Sequence, residues 1–138
     1  MDYNKLVAMR NTGNPFAKHI GICVLKIDWE YAEAEIELHE EHLNPIGTVH
    51  GGCLYTLADV VAGAAVSAYG NYAATVSSSF YYLEPAKNVQ KLYASATVSR
   101  QGKSLCVIDV VIWSETGTII AKGSLSYYIL NKEIAMTD

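Results

Sequence analysis

The stretch Gly51-Gly52-Cys53-Leu54-Tyr55-Thr56-Leu57-Ala58-Asp59-Val60-Val61-Ala62-Gly63-Ala64-Ala65-Val66-Ser67-Ala68-Tyr69 decides how the rest of the chain must be arranged. It lacks the alternation of a strand and is rich in Leu and Ala, so one long helix is predicted from Gly51 to about Tyr69. The segment is apolar all round, whereas a helix at a protein surface keeps one polar face, so other elements must enclose it. Ala58, Ala62, Gly63, Ala64 and Ala65 permit close approach by a surrounding backbone, as a curved sheet wrapped around the helix requires. Lipid is the other medium that surrounds an apolar helix. Asp59, near the centre, would be costly there, and a helix buried in a soluble domain is the reading that follows.

Working outward, the segments on both sides read as strands. Ala32, Ala34, Ile36 and Leu38 alternate with Glu33, Glu35 and Glu37, a period of two with one wet face. Ile22 to Ile27 reads as the strand before it. Leu6, Val7 and Met9 suggest a short amphipathic helix ahead of the turn signal Asn11-Thr12-Gly13-Asn14-Pro15. Beyond the helix, strands are predicted at Ala73 to Tyr82, Leu92 to Arg100, Ser104 to Ser114 and Thr118 to Ile129, with turn signals at Pro85, Gly102 and Gly117. Four consecutive strands predict an antiparallel meander, and the tail after Asn131 is expected to fray. The 138 residues are the size of a single domain, taken as 1–138, of the α+β class.

Charged residues make up 17% and hydrophobic ones 51% of the chain, a well-packed globular composition with apolar surplus for a subunit interface. A formal net charge of -4 provides no basic footprint, so nucleic acid is not an expected partner. Cys23, Cys53 and Cys106 are widely spaced and odd in number, and read as reduced core thiols. The N-terminus has no apolar run behind a basic start, which predicts a cytoplasmic protein without a membrane association. His39 and His42 stand among Glu37, Glu40 and Glu41, but no third ligand is defined and no metal is expected. His19 reads as a loop residue.

The chemistry concentrates in Asn44-Pro45-Ile46-Gly47-Thr48-Val49-His50-Gly51-Gly52, which runs straight into Leu54 to Asp59. Two glycines where a loop becomes a helix offer unencumbered N–H groups at the positive helix end, where a developing oxyanion is stabilised. The plainer reading of His50-Gly51-Gly52 is a tight turn with a hydrogen-bonded histidine. Asp59 sits in an otherwise apolar helix, where an unpaired carboxylate costs several kcal/mol or must protonate. Such a residue is either paired in the core or catalytic.

Together these residues resemble the hotdog-fold acyl-CoA thioesterases, in particular the phenylacetate-degradation and 4-hydroxybenzoyl-CoA thioesterase-like branch. The resemblance runs through NPFAKHIG (14–21), the loop from Asn44 to His50-Gly51-Gly52, TLAD (56–59), YYLEPA (81–86) and RQGKS (100–104). It implies a curved antiparallel sheet wrapped around one long central helix. It also implies hydrolysis of an acyl-CoA thioester to free acid and coenzyme A, with no cofactor, since coenzyme A is part of the substrate. By similarity, the Gly51 backbone N–H polarises the thioester carbonyl and Asp59 acts as nucleophile or general base. Asn44 would position water or the carbonyl, and His50 would hold the loop. Gly52, Arg100, Lys103 and Ser104 fall in the substrate-binding set, with the RQGKS turn near the coenzyme A phosphates. That turn reads equally well as merely solvated. Tyr81 and Tyr82 face opposite sides of a strand, so one of the two, left open by the spacing, lines the acyl pocket, and Tyr81 joins the substrate-binding set. One departure is Gly63, one helical turn after Asp59, where some related enzymes carry a Ser or Thr.

Helix geometry adds a constraint of its own. Gly51 and Asp59 are eight residues apart, about 12 Å along one helix at about 1.5 Å per residue, and cannot meet at one carbonyl carbon. If both act, they come from two subunits, which predicts a homodimer or a dimer of dimers with shared sites. Two other functions fit the scaffold: a hotdog enoyl-CoA hydratase or dehydratase, and a non-catalytic acyl-CoA-binding module. Loss of enoyl absorbance without thiol release would mark the first, and the presence of Asn44, Gly51 and Asp59 argues against the second.

Overall fold

A computed structural model describes residues 1–136. The predicted helix is present as α3 (Gly51–Ser67), and the strands form one antiparallel six-stranded sheet that packs against it. Leu57, Ala58, Val61, Ala62, Ala64 and Ala65 are fully buried. The sequence demanded this enclosure, and every strand from β1 to β6 contributes to it. This is the α+β hotdog arrangement. Gly70, with φ at 89°, takes the left-handed conformation that turns the chain out of the helix.

The first strands are β1 (Ile22–Asp28) and β2 (Tyr31–Glu37), followed after the helix by β3 (Asn71–Tyr82), β4 (Lys91–Gln101), β5 (Leu105–Ser114) and β6 (Ile119–Glu133). The alternation in β2 points Ala32, Ala34 and Ile36 inward, paired with Ala96, Ala94 and Leu92 of β4. Alanine pairs at mid-sheet lower the floor of the sheet, so the Ala-rich helix can settle close to it. The large residues around them, Ile36, Leu92, Ile108, Ile112 and Leu125, are fully buried. Burial of each is worth about 1.5–3 kcal/mol.

Four expectations need correction. The late strands are not a simple meander, because the sheet order is β1-β2-β4-β5-β6-β3 and β3 lies on the far edge, paired with β6. The reason lies in the side chains. The β4 sequence carries Leu92, Ala94, Ala96 and Val98 on one face and suits a central position, whereas β3 holds Ser77, Ser78 and Ser79 and is mostly exposed. Second, residues Pro15–Ile20 form a helix, α2, with Asn14 as N-cap and Pro15 at its start, so His19 is helical. Third, the chain stays ordered past Asn131: β6 runs to Glu133, and the Ile134 N–H donates to Gly70 O at 2.8 Å. Fourth, Cys53 and Cys106 are core thiols, but Cys23 is exposed. The first predicted helix is present as α1 (Tyr3–Thr12). Among the described residues no helix is long and apolar enough to cross a membrane.

Candidate active site

The loop before α3 is braced by its own polar groups. Asn44 Oδ1 accepts from the N–H of Ile46 and of Thr48, both at 3.1 Å, and its Nδ2 donates to Thr48 Oγ1 at 2.7 Å. His50 caps the helix: its Nδ1 accepts from the Gly52 N–H at 2.8 Å, and its carbonyl accepts from Cys53 and Leu54. Of the first-turn donors, the Gly51 N–H is left without an acceptor among the described residues. Gly51 lines a cavity of about 320 Å³ together with Asn44, Thr48, Leu54 and Tyr82. A free helix-start N–H facing a cavity is a ready oxyanion donor. The loop is tied to the fold by buried His42, whose carbonyl accepts from the His50 N–H. The His42 ring bonds the His39 N–H through Nδ1 and Ile20 O through Nε2, so neither ring nitrogen is free for a metal.

About two turns along α3, Asp59 meets β3 and β6. Thr75 Oγ1 donates to Asp59 Oδ1 at 2.6 Å, and the Tyr127 hydroxyl lies 2.6 Å from both Oδ1 and the Asp59 carbonyl oxygen. Oδ2 has no hydrogen-bond partner among the described residues, and Asp59 opens on a cavity of about 220 Å³. One oxygen of the carboxylate is therefore anchored and the other is available for chemistry. Burial, reinforced by the neighbouring Asp59 charge, pushes the Tyr127 phenol far above its ordinary value, so it remains a donor at neutral pH. Arg10 of α1 lines the same cavity.

Gly51 and Asp59 line different cavities of the chain. Tyr82, not Tyr81, stands at the Gly51 site: its hydroxyl donates to Gly51 O at 3.2 Å. Tyr81 faces the other side of β3, beside Asp109, Lys122 and Ser124. Strand alternation puts the two tyrosines on opposite faces, both exposed, and the register of β3 on β6 brings Tyr82 to Gly51. Gly52 is exposed and its N–H is spent on His50. Arg100 and Lys103 are exposed at the β4–β5 turn, and Ser104 O accepts from the Ile129 N–H at 2.7 Å. The register runs Gln101–Cys106–Tyr127–Thr75, so this turn lies at the same end of the sheet as the Asp59 anchors. It is three strand spacings from Thr75, about 14 Å.

Arg10, Thr75 and Tyr127 were not among the residues read from the sequence. The alternation of Leu125 and Tyr127 marked an inward tyrosine on β6, but nothing local tied it to Asp59.

A profile of the family described as the thioesterase superfamily matches residues 46–121, a segment that includes Gly51, Asp59 and Thr75. Human acyl-coenzyme A thioesterase 13 is 34% identical over 100 residues, covering 70% of this chain and 71% of the relative. The structure of the E. coli PaaI protein from the phenylacetic acid degradation operon superposes with a TM-score of 0.86 at 25% identity, covering 96% of this chain and 99% of that one. A Streptococcus pneumoniae hypothetical thioesterase solved with coenzyme A superposes with a TM-score of 0.78 at 26% identity, covering 83% of this chain and 92% of that one. On this sequence match, and with a fold shared almost end to end, the chain belongs to the thioesterase superfamily.

Proposed function

We propose that this thioesterase hydrolyses an acyl- or aryl-CoA thioester to the free acid and coenzyme A, in a site assembled from the Gly51 end of one protomer and Asp59 of its partner. The observation that carries this reading is the division of labour along α3. The free Gly51 N–H and the half-anchored Asp59 carboxylate sit on separate cavities, about 12 Å apart along the helix axis. The edge strand β3 supports the same reading, because it lies beside both ends and leaves one edge of its 12 residues unpaired. A long open edge is a template for pairing with a second copy.

Asp59 Oδ2 takes a proton from water as the water oxygen bonds to the thioester carbon. The carbonyl oxygen gains the negative charge and accepts from the Gly51 N–H of the other protomer. Collapse of that intermediate re-forms the carbonyl, breaks the C–S bond and releases the coenzyme A thiolate, which is then protonated. Asp59 acting as nucleophile through the same Oδ2 would pass instead through an anhydride that water cleaves. Arg100 and Lys103 supply exposed cations suited to the coenzyme A phosphates. The coenzyme A held by the pneumococcal relative supports the substrate class. A panel of acyl-CoA thioesters assayed for free thiol tests the reading. Stoichiometric thiol and acid are expected, and absence of thiol release across the panel would refute it.

A further inference from the structure

The mechanism above leaves Arg10 unused, although it is a cation in the Asp59 cavity. Its Nε is buried with no hydrogen-bond partner, and it makes no ion pair among the described residues. Burial works against its charge, while Asp59 and Tyr127 favour it, and a guanidinium stays protonated at neutral pH. Arg10 is only partly buried as a whole, with Nε its buried unpaired atom, and a cation desolvated in part keeps one position only where the fold holds it. Here the fold does so. The next residue, Asn11, is clamped to Val24 of β1 by two hydrogen bonds, Nδ2 to Val24 O at 2.9 Å and Val24 N–H to Oδ1 at 2.8 Å. Leu6 of the same helix is fully buried.

The opposite wall is equally specific. A Cβ at Gly63 would come within 2.9 Å of Arg10 Nη2, so the absent side chain at that position is what admits the guanidinium. Arg10 is not simply the counterion of Asp59, because Oδ1 is already held by Thr75 and Tyr127 and the two charges do not touch. Asn14, Ser67 and Asn71 complete a cavity whose walls are mostly polar. An alkyl chain entering it would strip water from the guanidinium and return nothing, whereas an oxygen acceptor would satisfy it with a charge-assisted hydrogen bond.

We propose that Arg10 is the specificity-determining residue for the acyl group, selecting thioesters whose acyl chain carries an oxygen acceptor, a hydroxyl or a carboxylate, within reach of its guanidinium. The proposal rests on the reading of Asp59 as the carboxylate that acts at the thioester carbon.

The test is kcat/KM, by thiol release, for pairs of acyl-CoA thioesters matched in length with and without an oxygen substituent: a plain alkanoyl, its ω-carboxy and ω-hydroxy counterparts, and an aryl-acetyl with and without a ring hydroxyl. The wild-type protein is expected to favour an oxygenated member of a pair by about tenfold or more, since a site built around a hydrogen bond discriminates strongly against the analogue lacking it. The carboxylate and hydroxyl arms identify which acceptor is preferred. Arg10→Met is expected to collapse that ratio, with Arg10→Lys retaining part of it. Gly63→Ala, which displaces the guanidinium without removing it, is expected to lower the ratio too, and it decides the matter if Arg10→Met fails to show a cooperative melting transition. A wild type indifferent to oxygen substituents overturns the proposal. So does Arg10→Met that lowers every substrate by one common factor, because the residue then acts on Asp59 or on the fold. Release of thiol from none of the thioesters would remove the hydrolase reading itself, and the proposal with it.

Discussion

Thr75 and Tyr127 are direct cross-strand partners on β3 and β6, and their hydroxyl oxygens both lie 2.6 Å from Oδ1 of Asp59. Opposed residues of an antiparallel pair point to the same face, so one register delivers two donors to one point. A shift of β3 by one residue would turn Thr75 away and leave Asp59 half-anchored at best. The pairing thus orients the carboxylate: Oδ1 is fixed against the sheet, and Oδ2 is left without a partner among the described residues, on a side chain that lines the cavity.

Asp59→Asn is expected to keep the fold and lower kcat by at least about a hundredfold. The amide oxygen can occupy the Oδ1 position and keep both hydroxyl donors, while the charge and basicity at Oδ2 are lost. KM and melting temperature should stay close to wild type. Normal kcat with a lowered melting temperature would instead identify Asp59 as a structural carboxylate.

Tyr127→Phe removes one of the two anchors. A loss of about 0.5–1.5 kcal/mol in stability is expected, with a fall in kcat of about tenfold from the looser carboxylate. The variant also carries a pH signature. The native Tyr127 phenol keeps its proton well above the ordinary range, through burial and the Asp59 charge, whereas the unfolded chain ionises near pH 10. The unfolded state then binds fewer protons than the native state, so stability falls as pH rises above about 10. Melting temperatures of the variant should fall less steeply than those of the wild type over that interval. Parallel slopes would contradict the assignment.

A site shared between protomers, as proposed, predicts complementation between two inactive proteins. Gly51→Val crowds the proposed oxyanion position, where an added Cβ meets the Tyr82 ring at 3.4 Å, and is expected to abolish turnover without preventing assembly. Mixed and re-associated with Asp59→Asn, it forms heterodimers in which one of the two sites has both groups intact. Random pairing then restores about a quarter of wild-type activity. No recovery, in a mixture shown by sedimentation to exchange subunits, would place both groups in one protomer.

Thiol chemistry should follow burial. Desolvation pushes the Cys53 thiol up to about 11, and Cys106 is also buried and raised, while Cys23 is exposed. At pH 8 the Cys53 thiolate is about one part in a thousand. Alkylation of the native protein is expected to add one group, at Cys23, with the other two reacting only after denaturation. Mass spectrometry of the labelled protein reads this directly.

The enclosed helix, the wet-faced strand β2 and the loop-to-helix boundary at His50 were all legible in the chain itself. Each depends on local rules: all-round apolarity, period-two alternation, and a capping side chain followed by glycines. The separation of Gly51 from Asp59 was equally legible, because a helix sets its own ruler. What the sequence could not carry was the partner of each site group. Thr75 and Tyr127 stand 16 and 68 residues from Asp59 and bond it only once β3 pairs with β6, while Arg10, 49 residues away, comes to line the same cavity only once α1 packs against β1. The edge position of β3 and the choice of Tyr82 over Tyr81 belong to the same class. They were decided by which strands compete best for the middle of the sheet and by the register of their pairing, both long-range properties of burial that no local spacing encodes.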